Sequence, residues 1–318
     1  MALLSKAAAT PAGRGKIPFW MRLKAWWEGY DLALRQKGKI PLDMGELSQD
    51  AVRYEEPEPR SMRLEVMQQI WGKGMSGPGD ESYILRLVKP LGLNPALTVI
   101  DVGAGLGGAT RLISEKFDIW ITGLEQDREV ADAGMELSTM AGLAKRAPIH
   151  YFDMDRYEFR ENSTDVVISK EALYTVEDKE RLLKEIIHMI RPRGQLLFTD
   201  YILTEKADDR AVFAWSEGEP KKPFPWTMRD YESMLTESRL DIRIKEDITD
   251  EVYSIITGSW ATFLSSLKGK TVDKDTSKAI TEAVELWTRR TRAIDAGALR
   301  ICRFHALKKE AEKMLSDW

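Results

Sequence analysis

A short series of positions in the middle of the chain carries side chains suited to holding a charged organic ligand. The stretch T-V-I-D-V-G-A-G-L-G-G-A-T-R-L (98–112) ends an apolar run in a glycine-rich turn, with Gly103, Gly105 and Gly108 in the pattern G-x-G-x-x-G. Such a turn brings backbone N–H groups close to a ligand. Asp101 lies two residues before the first glycine, inside the apolar run. A carboxylate there is costly to bury unless it has hydrogen bonds to make, and turns that hold a dinucleotide pyrophosphate usually carry an apolar residue at this spot. Glu125 closes the next apolar run, where a carboxylate accepts both hydroxyls of a ribose. That fits NAD and S-adenosylmethionine alike. Asp153 follows the third run with Met154 beside it. A polar side chain there suits an adenine amino group, and Met154 suits the ring face. Asp101, the glycine turn, Glu125 and Asp153 at successive strand ends describe a site for an adenosyl group with a charged amino-acid tail.

These residues need a scaffold that brings strand ends together. The pattern from Leu97 alternates: strand 98–102, helix 109–116, strand 118–125, helix 128–141, strands 149–153 and 164–169, helix 178–190, then strand 195–201 after the stop R-P-R-G. Leu182, Leu183, Ile186, Ile187 and Ile190 form one apolar stripe on the helix. Apolar strands alternating with helices predict a mostly parallel sheet covered on both faces, with ligands at the carboxyl ends of its strands. The fold class is therefore α/β, a Rossmann-like sheet whose last strand is antiparallel. Helices are expected at 61–71 and 82–90, with a loop over 72–80 between them. Beyond Tyr201, residues 203–226 are polar with Trp and Pro. A helix (227–238), a strand (240–247), a helical insertion (250–298) and a last strand (298–307) follow. Residues 1–60 read as a basic, aromatic helical extension and a Pro/Glu-rich linker; 61–318 read as the main domain, with lid segments near 203–230 and 250–298.

Composition narrows the function classes. The 318 residues are 43% hydrophobic and 31% charged, with a net charge of −4, so there is no global attraction to nucleic acid. The single cysteine, Cys302, and three scattered histidines give no basis for a metal site. No apolar run reaches the roughly 18 residues needed to span a bilayer. Residues 14–40 are basic, and F-W-M-R-L-K-A-W-W-E-G-Y (19–30) mixes aromatic and basic side chains. That segment is expected to serve either as a homo-oligomer contact or as a peripheral membrane contact, on a cytoplasmic protein.

In order and spacing, V-I-D-V-G-A-G-L-G-G, G-L-E-Q-D, F-D-M-D, V-I-S-K-E-A-L and I-R-P-R-G-Q-L-L-F-T-D-Y resemble the class I S-adenosylmethionine-dependent methyltransferases. Within that class, I-W-G-K-G-M-S-G-P-G before the first strand, G-L-G-G in the turn, S-K-E-A-L after the fourth strand and L-L-F-T-D-Y in the fifth are similar to phosphoethanolamine N-methyltransferases. The resemblance runs from about Trp71 to Tyr201 and implies S-adenosylmethionine as cofactor. It places Ser76 and Gly77 over the cofactor and Gly103 and Gly105 at its methionine end. Glu125 with Gln126 would hold ribose and adenine, Asp153 with Met154 the adenine. Lys170 and Glu171 would face the methionine and acceptor end, and Tyr201 would border the acceptor.

The chain also departs from that family. The relatives carry a histidine where this chain has Thr175, beside Tyr174, and their phosphate-gripping tyrosine and arginine cluster has no clear counterpart in the sequence. Another amine or a lipid head group therefore fits as an acceptor at least as well as phosphoethanolamine. Methyl transfer is an in-line displacement, favoured when the reacting atoms are held at about 3 Å. An amine must first lose a proton, and Glu171 and Tyr201 are the candidate weak bases. Methylated ammonium groups bind aromatic faces, for which Trp215, Trp226, Tyr253 and Trp260 are candidates. Transfer to oxygen or carbon, and a non-catalytic binding protein, are the alternatives.

Overall fold

The structure is a computed structural model that describes residues 61–310. Residues 14–40, and with them the expected oligomer or membrane contact, lie outside the described residues. One compact unit takes in 57–266 and 272–318. The other comprises 1–56 with 267–271; of it only 267–271 is described, a turn closed by Lys270 N–H donating to the Leu267 carbonyl at 3.1 Å.

Seven strands form one sheet in the order β3-β2-β1-β4-β5-β7-β6. They are β1 (Thr98–Val102), β2 (Trp120–Glu125), β3 (Ile149–Tyr151), β4 (Thr164–Lys170), β5 (Ile190–Leu203), β6 (Leu240–Asp247) and β7 (Leu299–Lys308). The pairings from β3 through β5 are parallel, while β7 runs antiparallel to both β5 and β6. This is the expected Rossmann-like class. The strand order reverses between β1 and β4, and at such a switch point the helices diverge and leave a crevice at the strands' carboxyl ends.

Nine α-helices surround the sheet among the described residues: α1 (Met62–Trp71), α2 (Glu81–Val88), α3 (Gly108–Phe117), α4 (Arg128–Met140), α5 (Lys179–Met189), α6 (Asp209–Ser216), α7 (Met228–Glu237), α8 (Thr249–Ser266) and α9 (Lys274–Asp295). Their starts are written in the sequence. Asp80, Asp127, Asp178 and Asp273 each accept a hydrogen bond from a backbone N–H of the first turn, satisfying donors that have no partner inside the helix. The α5 stripe of Leu182, Leu183, Ile186 and Ile187 is buried in a core with Val102, Val167, Leu196, Phe198 and Phe304.

Three details differ from the sequence reading. R-P-R-G does not separate α5 from β5, because β5 starts at Ile190 directly after the helix. The register jumps from Thr164↔Ile190 to Val166↔Gln195, so the four residues bulge out. Pro192 has no N–H to pair, and Arg193 adopts φ 66°. β3 stops at Tyr151, since Asp153 folds back to accept from Asp155 N–H at 3.0 Å. The polar segment after Tyr201 contains a helix, α6, whose Trp215 is buried. The 250–298 region is helical as expected, in the form of α8 and α9. No helix among the described residues is long and apolar enough to cross a membrane.

Candidate functional site

A cavity of about 240 Å³ opens where β1, β2, β4 and β5 end. The glycine turn forms one side. Gly103 and Gly105 have φ of 79° and 57°, a region that side-chain-bearing residues rarely adopt. An added Cβ would come within 2.1 Å of the Ala172 Cβ at Gly103 and within 2.0 Å of the Ser76 Oγ at Gly105. The 72–80 loop thus packs straight onto the turn. It is held by Gly74 N–H donating to Gln68 Oε1 at 2.9 Å and by Lys170 Nζ donating to the Pro78 carbonyl at 2.8 Å. Ser76 and Gly77 line the cavity.

The two buried acids have acceptor capacity to spare. Asp101 Oδ2 accepts from Thr110 Oγ1 at 2.6 Å, while Oδ1 makes no hydrogen bond among the described residues. Burial pushes this carboxyl up to about 6, against the opposing pull of the Thr110 hydrogen bond and the Lys170 charge. A buried acid with one free oxygen on a cavity wall is suited to a ligand ammonium group, which would relieve the cost of ionising it. Glu125 accepts from Gly105 N–H at 2.8 Å on one oxygen and from Asp127 N–H at 2.9 Å on the other. The carboxylate keeps acceptor capacity beyond these bonds, which suits it to ribose hydroxyls. Burial raises this carboxyl too. Gln126 donates to Thr175 Oγ1 at 2.8 Å, so Thr175 tethers an expected cofactor residue. This donor and acceptor set, with the backbone cradle that no Cβ could share, fits S-adenosylmethionine.

Lys170 and Glu171 bring the end of β4 into the same cavity. Glu171 adopts φ 44°, an uncommon conformation for a non-glycine residue and one associated with functional sites. Its Oε1 accepts from Thr199 Oγ1 at 2.7 Å and its Oε2 from Lys170 Nζ at 2.6 Å. The carboxylate is thus fixed between β4 and β5. Tyr201 is 1% exposed, and burial pushes its phenol well above the ordinary value. It stays protonated at neutral pH, which suits it to donate a hydrogen bond or present its ring.

The far wall was not legible in the sequence. Arg290 on α9 meets Glu219 through two hydrogen bonds, Nε to Oε1 at 2.7 Å and Nη2 to Oε2 at 2.6 Å. Nη2 also donates to the Tyr174 hydroxyl at 2.8 Å, and Trp215 Nε1 donates to Glu219 Oε1 at 2.7 Å. The guanidinium lies 5.5 Å from the Tyr201 ring centroid and 4.7 Å from that of Trp287. Tyr174, Tyr201 and Arg290 thus cluster from segments far apart in the sequence. One signal was available: Trp287 and Arg290 stand three apart in W-T-R-R, and so share a helix face.

The structure gathers Ser76, Gly77, Asp101, Gly103, Gly105, Glu125, Gln126, Lys170, Glu171 and Tyr201 around the one cavity. Asp153 and Met154 are not among its lining residues. Asp153 is half-exposed on a turn, with its side chain 45% accessible, and Met154 is buried with its Cε near Gly103. The aromatic residues that line the cavity are Tyr174, Tyr201 and Trp287, in place of the four expected. Trp215 stands behind Tyr174 and Tyr201, Trp226 packs on Tyr231, and Trp260 packs on Trp71. Tyr253 reaches Asp295 at 3.3 Å. No metal-holding cluster occurs among the described residues.

Residues 100–198 match the methyltransferase domain family model. The sheet order, the glycine turn and the two acids agree with a domain of that kind and with S-adenosylmethionine as its ligand. In sequence the chain resembles the phosphoethanolamine N-methyltransferases. It is 26% identical over 194 residues to phosphoethanolamine N-methyltransferase 3 of Arabidopsis thaliana, a match covering 59% of this chain and 38% of that one. Identity to the Plasmodium falciparum phosphoethanolamine N-methyltransferase is 25% over 206 residues, covering 64% of this chain and 76% of that one. The solved phosphoethanolamine N-methyltransferase 2 of Haemonchus contortus, in complex with S-adenosyl-L-methionine, superposes with a TM-score of 0.69 at 19% identity, covering 78% of this chain and 57% of that one. This chain thus spans well under half the length of the Arabidopsis relative.

Proposed function

We propose that this protein transfers the methyl group of S-adenosylmethionine to the nitrogen of an amine head group. The observation that carries this reading is the Glu171 carboxylate, clamped between Thr199 and Lys170 on the cavity that also holds Asp101, Glu125 and an aromatic wall. The names of the relatives in Arabidopsis and Plasmodium support nitrogen as the accepting atom.

When bound, S-adenosylmethionine supplies an electrophilic methyl group on a sulfonium. The chain does the rest. Asp101 holds an ammonium group at the methionine end, and Glu125 holds the ribose. The loop carrying Ser76 and Gly77 covers the turn and excludes water. An acceptor arrives as an ammonium ion, which Tyr201, Tyr174 and Trp287 attract through their ring faces. Glu171 takes a proton from that nitrogen and frees its lone pair. Positioning and general base catalysis then act together.

Label from methyl-labelled S-adenosylmethionine, offered to a panel of ethanolamine, phosphoethanolamine, their methylated forms and lipid extracts, tests this reading. Label in an amine fraction supports it. Cofactor binding without label in any fraction would contradict it.

A further inference from the structure

A second cavity, of about 510 Å³, lies between α1 and α9. Its apolar lining includes Met67, Ile70 and Trp71 from α1, and Ala283, Leu286 and Trp287 from α9, and Arg63 and Glu217 are among its polar lining. The α9 residues recur at helical spacing, so they lie on one face. Alanines at 279 and 283 leave the space that larger side chains would fill. Glu282, Glu285 and Arg289 on the cavity's border are exposed. Ser76, Trp287 and Arg290 line this cavity and the methyl-transfer cavity alike.

Arg290 stands where the two spaces meet. Its Nε and Nη2 are engaged by Glu219 and Tyr174, while its Nη1 makes no hydrogen bond among the described residues. Glu219 balances the guanidinium charge, so the junction offers hydrogen-bond donors with no net positive charge. Such a junction suits one oxygen of an ester or diester better than a free dianion. The volume beyond it lies in the range of small-molecule sites, and past the junction Met67, Ile70, Ala283 and Leu286 give it apolar lining.

We infer that the acceptor is an amphiphile whose amine enters the methyl-transfer cavity, whose linking oxygen meets Arg290, and whose hydrocarbon tail occupies the cavity between α1 and α9. The inference rests on the proposed methyl transfer to an amine and adds a tail to that acceptor.

The test uses the full chain and ethanolamine phosphodiesters with methyl, butyl, octyl and dodecyl tails, held below their micellar concentrations. The kcat/KM for methyl transfer is expected to rise with tail length, by up to about fourfold per methylene that reaches the cavity. Ala283→Trp, which fills the cavity, should flatten the series and leave the methyl ester and cofactor binding unchanged. Leu286→Ala, which widens it, should move the optimum toward longer tails. A flat series in the unmodified protein, or a rise that Ala283→Trp leaves intact, would overturn the inference. Binding of dodecylphosphocholine, read by tryptophan fluorescence in the unmodified protein and in Ala283→Trp, gives a readout that needs no turnover. If no amine is methylated yet the detergent binds and Ala283→Trp abolishes that binding, the methyl-transfer reading fails and the tail cavity stands. If methylation proceeds but neither tail length nor Ala283→Trp alters it, the tail cavity fails alone.

Discussion

Arg290 and Glu219, 71 residues apart, form a two-point ion pair of 2.6 and 2.7 Å whose side chains are 12% and 0% exposed. Breaking one side of such a pair leaves an uncompensated buried charge, at a cost of about 3–5 kcal/mol. Glu219→Ala is therefore expected to lower thermal stability sharply. Arg290→Lys should also destabilise, because an ammonium cannot reproduce the planar two-point contact. Thermal unfolding of both variants checks this; melting temperatures close to the parent's would show that the pair is not formed as described.

Asp101 links cofactor affinity to pH. Its carboxyl sits at about 6 because it is buried, and only the ionised form attracts a ligand ammonium group. Affinity for S-adenosylmethionine should be level above that value and fall by about tenfold per pH unit below it. Calorimetric titrations from acid to neutral pH read this directly. A level profile across that range would show that the ligand amine is held elsewhere.

The same residue should cost stability in the ligand-free protein. Its folded-state value lies above the ordinary 3.8, so ionising it opposes folding. The penalty is absent below 3.8 and complete above about 6. At neutral pH Asp101→Asn is expected to raise the melting temperature while weakening cofactor binding. A variant that both binds weakly and melts earlier would point to a purely structural Asp101.

At Gly105 the expectation is a combined defect. An added methyl meets Ser76 Oγ at 2.0 Å, and φ is 57°. Gly105→Ala should push the 72–80 loop off the turn, lowering cofactor affinity by at least tenfold and stability by about 1–3 kcal/mol. Gly142 also has a positive φ but nothing within 4 Å of an added Cβ, so Gly142→Ala should strain the backbone and leave cofactor affinity unchanged. Equal affinities of the two variants would remove the case for a tight cradle.

The cofactor end was more legible in the sequence than the acceptor end, for a physical reason. The glycine turn, Asp101 and Glu125 are local to consecutive strands, and a parallel sheet brings all strand ends to one edge. Reading the strands was enough to place them. Asp153 does not line the cavity: the chain turns after Tyr151, and the Asp153 carboxylate accepts from Asp155 N–H in that turn. Arg290 was hidden because W-T-R-R-T-R reads as a solvated basic face, and nothing local says that Glu219 will neutralise one of its arginines. Tyr174 was visible beside Thr175, but its role depends on α9 crossing the strand ends. Contacts between a late helix and an early loop leave no periodicity to read.

The most direct test of methyl transfer to nitrogen is a single-turnover reaction with carbon-13 methyl-labelled S-adenosylmethionine, resolved by NMR, for the parent and for Glu171→Gln. The expected result is an N-methyl resonance, formed about 10²–10⁴ times more slowly by the variant, with cofactor affinity the same in both. A methyl resonance on oxygen or carbon would contradict transfer to nitrogen. An N-methyl product formed at the parent's rate by Glu171→Gln would remove Glu171 from the role of base.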